Sequence, residues 1–543
     1  MLTRPAVKAD ASPEVLIIGA GHNGLVCASY LAAKGLRVRM LERRDVVGGA
    51  AVTEEFHPGF RNSSASYTVS LLHPKIVRDL RLAQHGLRIV ERPLANFLPL
   101  PDGDYLRVGG GLAATQAEVA RHSCRDAEAL PAYYERLERI ADILRDLVLE
   151  TPPNVGGGIH DLLQAWRSAK RFRALDMPGR RDVLDLFTMS AGDWLERWFE
   201  SEPIKACFGF DAVVGNFASP YAQGTAYVLL HHVFGEINGR KGVWGHAIGG
   251  MGAITQAMAA EAVARGVQIS TAMPVAEVLL DARGRTRGVR LEDGSEIAAG
   301  AVIANVNPRL LLTRMLGAEA RARYDLERFE HYQCESATFR MNVALSELPN
   351  FTCLPGTAAQ AHHGSGIIMA PSLGYMERAY VTARADGWSA APIVELLIPS
   401  TLDTTLAPAG RHVASLFCQH FRYTLPLGEH WDDVRERAAD GVIETVERFA
   451  PNFGRSIIAR QIHSPLDLER KFGLIGGDIF HGKLSLNQLF SARPALGSAD
   501  YRMPVPGLYL CGSGAHPGGG VTGAPGHNAA REVWRDLKRR RRG

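Results

Sequence analysis

Gly19, Gly21 and Gly24 stand in the spacing GxGxxG directly after the apolar run Val15–Ile18. Glycines so placed let a backbone turn tightly and approach a pyrophosphate, whose charge is met by the amides and dipole of a helix N-terminus. Leu25, Val26, Ala28, Leu31 and Ala32 then recur at helical spacing as far as Gly35, and Leu36 to Leu41 reads as a second strand. Glu42 closes that strand 18 residues after Gly24, where a carboxylate can accept hydrogen bonds from an adenosine ribose. Strand, helix, second strand and acid form one βαβ unit with a dinucleotide site.

The next residues separate two kinds of dinucleotide. Arg43 and Arg44 follow the acid, and Gly48-Gly49 follows them. This pattern resembles two-dinucleotide-binding-domain flavoproteins, in which the glycine pair lets the chain pass close to the pyrophosphate of FAD. A second glycine-rich stretch, Cys511-Gly512-Ser513-Gly514 through His516 and Gly518-Gly519-Gly520-Val521, reads as a strand, a loop and a helix with Pro525 near its first turn. Amides at the start of that helix would face the flavin pyrimidine and stabilise charge developing near N1. His516 is the candidate catalytic residue if it reaches the flavin edge, polarising it or assisting proton transfer; the alternative is that it caps the following loop.

Five segments position these residues. Residues 13–110 and 240–320 read as the N-terminal and middle parts of the FAD-binding domain, and 500–535 as its C-terminal part. In the first, the polar cluster Ser63, Ser64, Ser66 and Tyr67 reads either as lining for a flavin or substrate cavity or as a loop with local hydroxyl caps. In the middle part a small-residue helix, a returning strand and a glycine-punctuated β-meander are expected, with Val275 presenting backbone to the adenine. Residues 111–239 read as a helical insertion forming a lid or substrate wall, opening with a pair of amphipathic helices from Leu112 to about Leu149. Its stretch from Cys207 to Ile237 is rich enough in apolar residues to wall an apolar ligand or to form a core. His231 and His232 read as packed or hydrogen-bonded, since adjacent helical residues diverge too far to share one metal. Residues 321–499 read as a mixed α/β substrate domain, with His481 a weak candidate for the cavity.

Composition narrows the class. Hydrophobic residues make up 46% and charged residues 22% of the 543, as in a globular protein, and no apolar run is long enough to cross a bilayer. The net charge of +4 does not point to nucleic acid. Much of it lies in Lys538 to Arg542, read as a solvated end with peripheral contact to anionic lipid as the alternative. Seven scattered cysteines without a CxxC argue for a reducing compartment and against a dithiol centre or zinc site; no metal is expected. The first 13 residues are too short and polar for a secretory signal. A cytoplasmic protein is expected, mitochondrial if eukaryotic.

Across residues 15 to 530, motifs such as IIGAGHNGLV, ERRDVVGGAAVTEE, YVLLHHV, GGMGA, LEDGSE and LYLCGSGAHPGGGVTGAPGHNAA resemble the phytoene desaturase type of amine-oxidase-like flavoproteins. The resemblance implies an α/β, Rossmann-like FAD fold with an inserted mixed α/β and helical substrate domain. It implies FAD at Gly19, Gly21, Gly24, Glu42, Arg43, Gly48 and Gly49, with Gly512, Ser513 and Gly520 closing over the flavin. Ser513 stands where many relatives have an Asp for the ribityl chain. The expected activity is hydride transfer from a small apolar, isoprenoid-like substrate to FAD, with oxygen or a quinone as acceptor. Two alternatives stay open: dehydrogenation of a polar alcohol or amine, which buried charges near the cavity would favour, and a low-turnover FAD-binding protein serving a respiratory complex. A protein partner or a homo-oligomer is compatible with each.

Overall fold

The computed structural model describes residues 13–542; the reading made for the extreme N-terminus lies outside the described residues. The apolar run becomes β1 (Val15–Ile18), the periodic stretch α1 (His22–Ala32), and the second run β2 (Val38–Leu41). β1 is buried along its whole length, which is why it reads as a continuous apolar run and not an alternating one. The second strand starts two residues later than the apolar pattern suggests. The backbone N–H groups of Gly35 and Leu36 still donate to Ala32 and Leu31, and Gly35, at φ +79°, makes the left-handed turn that ends the helix.

β1 and β2 belong to a five-stranded sheet in which every neighbouring pair is parallel. Its strands come from three distant parts of the chain: Gln268–Ser270 lies beyond β2, Ala301–Ala304 pairs with β1, and Leu508–Leu510 pairs with Ala301–Ala304. The helix Met251–Ala264 precedes the returning strand, and the meander Val275–Leu280, Thr286–Leu291, Glu296–Ala298 follows it, as the glycine punctuation predicts. The helix Ala524–Arg540 lies so close on α1 that a side chain at Gly526 would collide with the carbonyl of Asn23.

A second, seven-stranded sheet holds Phe339–Leu345, Gly366–Met369, Trp388–Leu397, His412–Phe421 and Ile457–His463. Its far edge is built by Asn96–Pro99 and Tyr105–Val108, which the sequence had grouped with the nucleotide-binding segment. Helices cover both faces of this sheet, Trp431–Glu447 packing on the side of Ile367, Val394 and Leu416 and a larger group on the other. Cys124–Val148 is the longest, capped by the Ser123 hydroxyl accepting from the Asp126 amide; it turns Leu130, Leu137 and Ile140 into a core shared with Ile368 and Phe417. Each such side chain contributes about 1.5–3 kcal/mol by leaving water. The expected pair of amphipathic helices is present as Leu112–Ala120 and Cys124–Val148. No helix among the described residues is long and apolar enough to cross a membrane.

Candidate active site

Two cavities meet between the sheets. The first, a groove of about 1300 Å³, runs along the C-terminal end of β1 and β2 and is walled by Gly19, Gly21, Asn23, Glu42, Arg43, Gly49 and Val275 among others. Its floor is backbone. Gly19 turns at φ +91°, and a side chain at Gly24 would run into the Gly19 carbonyl. A Cβ at Gly21 would lie 2.9 Å from Asn305 Nδ2, and one at Gly49 3.3 Å from the Gly21 Cα. Gly48 donates its N–H to the Ala20 carbonyl at 2.9 Å, so the glycine pair runs directly beside the GxGxxG turn.

Glu42 is held as a rigid acceptor. One carboxylate oxygen takes the Ala20 N–H at 2.8 Å and the other the Arg44 N–H at 3.0 Å. Arg43 lines the groove but its guanidinium ties down the opposite wall, donating to the carbonyls of Lys471 at 2.7 Å and Arg470 at 3.2 Å. Val275 opens the first meander strand beside Met273 and Pro274. Gly512 lies behind the groove, where a Cβ would sit 3.1 Å from Asn305 Oδ1.

The second cavity, a chamber of about 1150 Å³, shares four wall residues with the groove: His22, Ala50, His481 and Ser513. Around this junction His22 Nε2, Asn23 Oδ1 and His481 Nδ1 are buried without hydrogen-bond partners. Ser513 accepts from Asn23 Nδ2 at 3.1 Å. Burial holds both His22 and His481 down at about 4, so both rings are neutral at physiological pH. A glycine cradle, a preset carboxylate and orphaned polar atoms at the joint fit a dinucleotide whose pyrophosphate lies on the groove floor and whose ring system reaches the chamber. The same joint brings Gly520 and Val521 from the C-terminal loop into the chamber wall.

The chamber is walled mostly by apolar side chains, Leu71, Phe210, Val214, Ile254, Ile479 and Phe480 among them, with Ser66 and Tyr67 from the predicted polar cluster. Ser63 and Ser64 are used elsewhere: Ser63 Oγ accepts from the Met251 N–H at 3.0 Å, and Ser64 donates to Glu54. His232 reaches the wall with Nδ1 fixed 2.8 Å from the Val228 carbonyl. Arg92, Asp211 and Glu395 also line the chamber and were not singled out by sequence. Asp211 and Glu395 did leave a signal, each being a lone acid inside an apolar run, CFGFDAVVG and PIVELLIP.

His516 is not brought to the site. It lies outside the walls of both cavities, 6% exposed, with Nε2 placed 3.1 Å from the Leu147 carbonyl and its ring edge-on to Phe490. Burial pushes its ionisation down to about 4. The ring joins the C-terminal loop to the end of the long helix, which is a structural use; the expectation that it touches the flavin edge is corrected accordingly.

A parallel nucleotide sheet with a backbone-built groove, opening into a chamber carried by a second sheet, defines a flavin-dependent oxidoreductase with FAD as its cofactor. The chain belongs to the family of flavin containing amine oxidoreductases, whose pattern matches residues 24–329. It is similar to pyridine nucleotide-disulfide oxidoreductase domain-containing protein 2 of Rattus norvegicus, 42% identical over 97% of this chain and 94% of that one. It is also similar to the neurosporene-forming phytoene desaturase of Cereibacter sphaeroides, at 26% identity over 96% and 94%. Among solved structures, an oxidoreductase from Methanosarcina mazei shares the fold with a TM-score of 0.57 at 16% identity, covering 96% of this chain and 99% of that one.

Proposed function

We propose that this FAD-dependent oxidoreductase dehydrogenates a substrate with an apolar, isoprenoid-like body, and that oxygen or a quinone takes up the electrons. The observation that carries the reading is the chamber wall next to the junction, where Leu71, Ile254, Ile479 and Phe480 offer contact area and no competing base. Bound FAD supplies the hydride acceptor. The chain supplies the rest. Neutral His22 and His481 bring no charge to the junction, the apolar wall excludes water, and the glycine floor fixes the cofactor without side-chain freedom. Phytoene desaturation by a relative is consistent with such a body.

The reading is tested by anaerobic mixing of the FAD-loaded protein with terpenoid hydrocarbons, alcohols and amines while the flavin absorption is followed. Bleaching by donors with an apolar body is expected, followed by recovery on adding oxygen or a soluble quinone. Bleaching by small polar amines or alcohols alone would overturn it.

Arg92, Asp211 and Glu395 in the wall are the buried charges that favour a polar substrate group; beside the apolar wall they point to a polar end on an apolar body, not to a pure hydrocarbon.

A further inference from the structure

We propose that Arg92 forms a carboxylate subsite in the chamber, so that the substrate is an amphipathic monoacid whose apolar body lies along the Phe210 and Phe480 wall. This rests on the reading just given and names the substrate class within it.

Arg92 is the one Lys or Arg in the chamber wall among the described residues. Its guanidinium lies over the Trp244 ring, 5.8 Å from the centroid, and donates to the Thr68 hydroxyl; no carboxylate stands within ion-pair distance of it among the described residues. A guanidinium has five N–H donors in a planar fork suited to a carboxylate; Glu395 is the charge that most offsets it, short of a direct ion pair. A Cβ built on Gly366 would lie 2.7 Å from Glu395 Oε1, 3.1 Å from Asn96 Oδ1 and 3.3 Å from Arg92 Nη1, so three polar tips crowd the same stretch of backbone.

The surrounding charges select the sign. Glu395 accepts the Tyr67 hydroxyl at 2.6 Å, and Arg340, 1% exposed, lies 4.5 Å over the Tyr67 ring while its nitrogens bond Leu416 and Ser415. The Asp211 carboxyl makes no hydrogen bond among the described residues, while its backbone bonds His232. Burial, and then Glu395, push its carboxyl up to about 8, so it is a neutral donor at physiological pH. His22, His232 and His481 are neutral as well. With two guanidiniums against one carboxylate the cluster is positive by one charge, and by two if Glu395 holds a proton. An anion completes it, whereas an ammonium would face Arg92 directly. Glu395 beside Arg92 disfavours a dianion such as a phosphate monoester, which leaves the monoanionic carboxylate, paired with Arg92 and receiving the Asp211 proton in a hydrogen bond.

The test uses the FAD-loaded protein under anaerobic conditions, titrated with farnesoic acid, its methyl ester, farnesyl phosphate and farnesylamine, with binding read from the flavin absorption spectrum. The acid is expected to bind at least tenfold more tightly than the ester or the amine, and the phosphate more weakly than the acid. Arg92→Gln should erase the preference at unchanged FAD content, and Arg92→Lys should keep part of it. Asp211→Ala, which removes the donor, should weaken the acid severalfold and the ester less; it decides the matter if Arg92→Gln fails to hold FAD. Equal binding of acid and ester, tighter binding of amine or phosphate, or a preference that survives Arg92→Gln overturns the subsite while leaving the apolar reading in place. Binding of none of the four, with FAD retained, overturns both.

Discussion

The groove and the chamber are built from different materials. The groove is shaped by backbone: three glycines of one turn, two of the next, and one carboxylate whose oxygens are both held by N–H groups. The chamber is shaped by side chains delivered from the polar loop near Tyr67, the helix Glu202–Val213, the strand Trp388–Leu397 and the loop at Phe480. A backbone surface admits few substitutions and so holds one ligand. A side-chain surface can be redrawn one residue at a time, which lets a shared cofactor serve different substrates.

That contrast breaks most readily at Gly21. Gly21→Glu puts a side chain at the groove floor and is expected to abolish FAD binding; a purified variant with the usual flavin absorption at one FAD per chain would show that the floor is not the site. Glu42→Ala leaves two backbone donors without acceptors and is expected to weaken FAD binding by roughly tenfold or more, read by titrating apoprotein with FAD. Unchanged affinity would mean that the acid only braces the turn. His516→Ala tests the corrected residue: stability should fall by about 1–3 kcal/mol from the lost packing and hydrogen bond, with FAD content and flavin reduction rate retained. A rate loss of a hundredfold or more at full FAD occupancy would restore a catalytic role.

A further effect, from Asp211→Asn, runs the other way. The folded carboxyl titrates at about 8 against an ordinary value of 3.8, so the folded state disfavours its ionised form. The native chain therefore loses stability from this residue as pH rises from about 4 towards 8. The variant should match it below pH 4 and exceed it by a growing margin as pH rises towards 8, seen as a higher melting temperature in the absence of added ligand. A variant that is less stable at pH 8 would show that Asp211 is ionised and paired in the native state.

The sequence made the groove legible because its requirements are local. Gly19, Gly21 and Gly24 announce a turn that other residues cannot make, and β1, α1 and β2 follow within 27 residues from Val15 to Leu41. The joining of the C-terminal glycine loop to the same site was readable because both stretches carry glycine where nothing else fits. The chamber was not readable in the same way. Arg92, Asp211 and Glu395 lie far apart in sequence and meet only because Asn96–Pro99 pairs with Gly366–Met369 and Gly366–Met369 with Trp388–Leu397. His516 misled for the converse reason: its place in a glycine loop marks proximity to the cofactor segment, but χ angles and packing decide where a ring points, and here it points to Leu147.

Leu508–Leu510 is the edge strand of the nucleotide sheet, and the helix behind it seats Gly526 on Asn23. This gives the protein an order of events during synthesis. The ribosome releases the GxGxxG turn long before the segment that completes its surroundings, so until that segment emerges β1 has neither its final sheet nor its covering helix. Cofactor capture therefore waits on the chain beyond Leu508, and a chain cut short before Leu508 leaves the Ala301–Ala304 edge open to a partner it was never meant to meet.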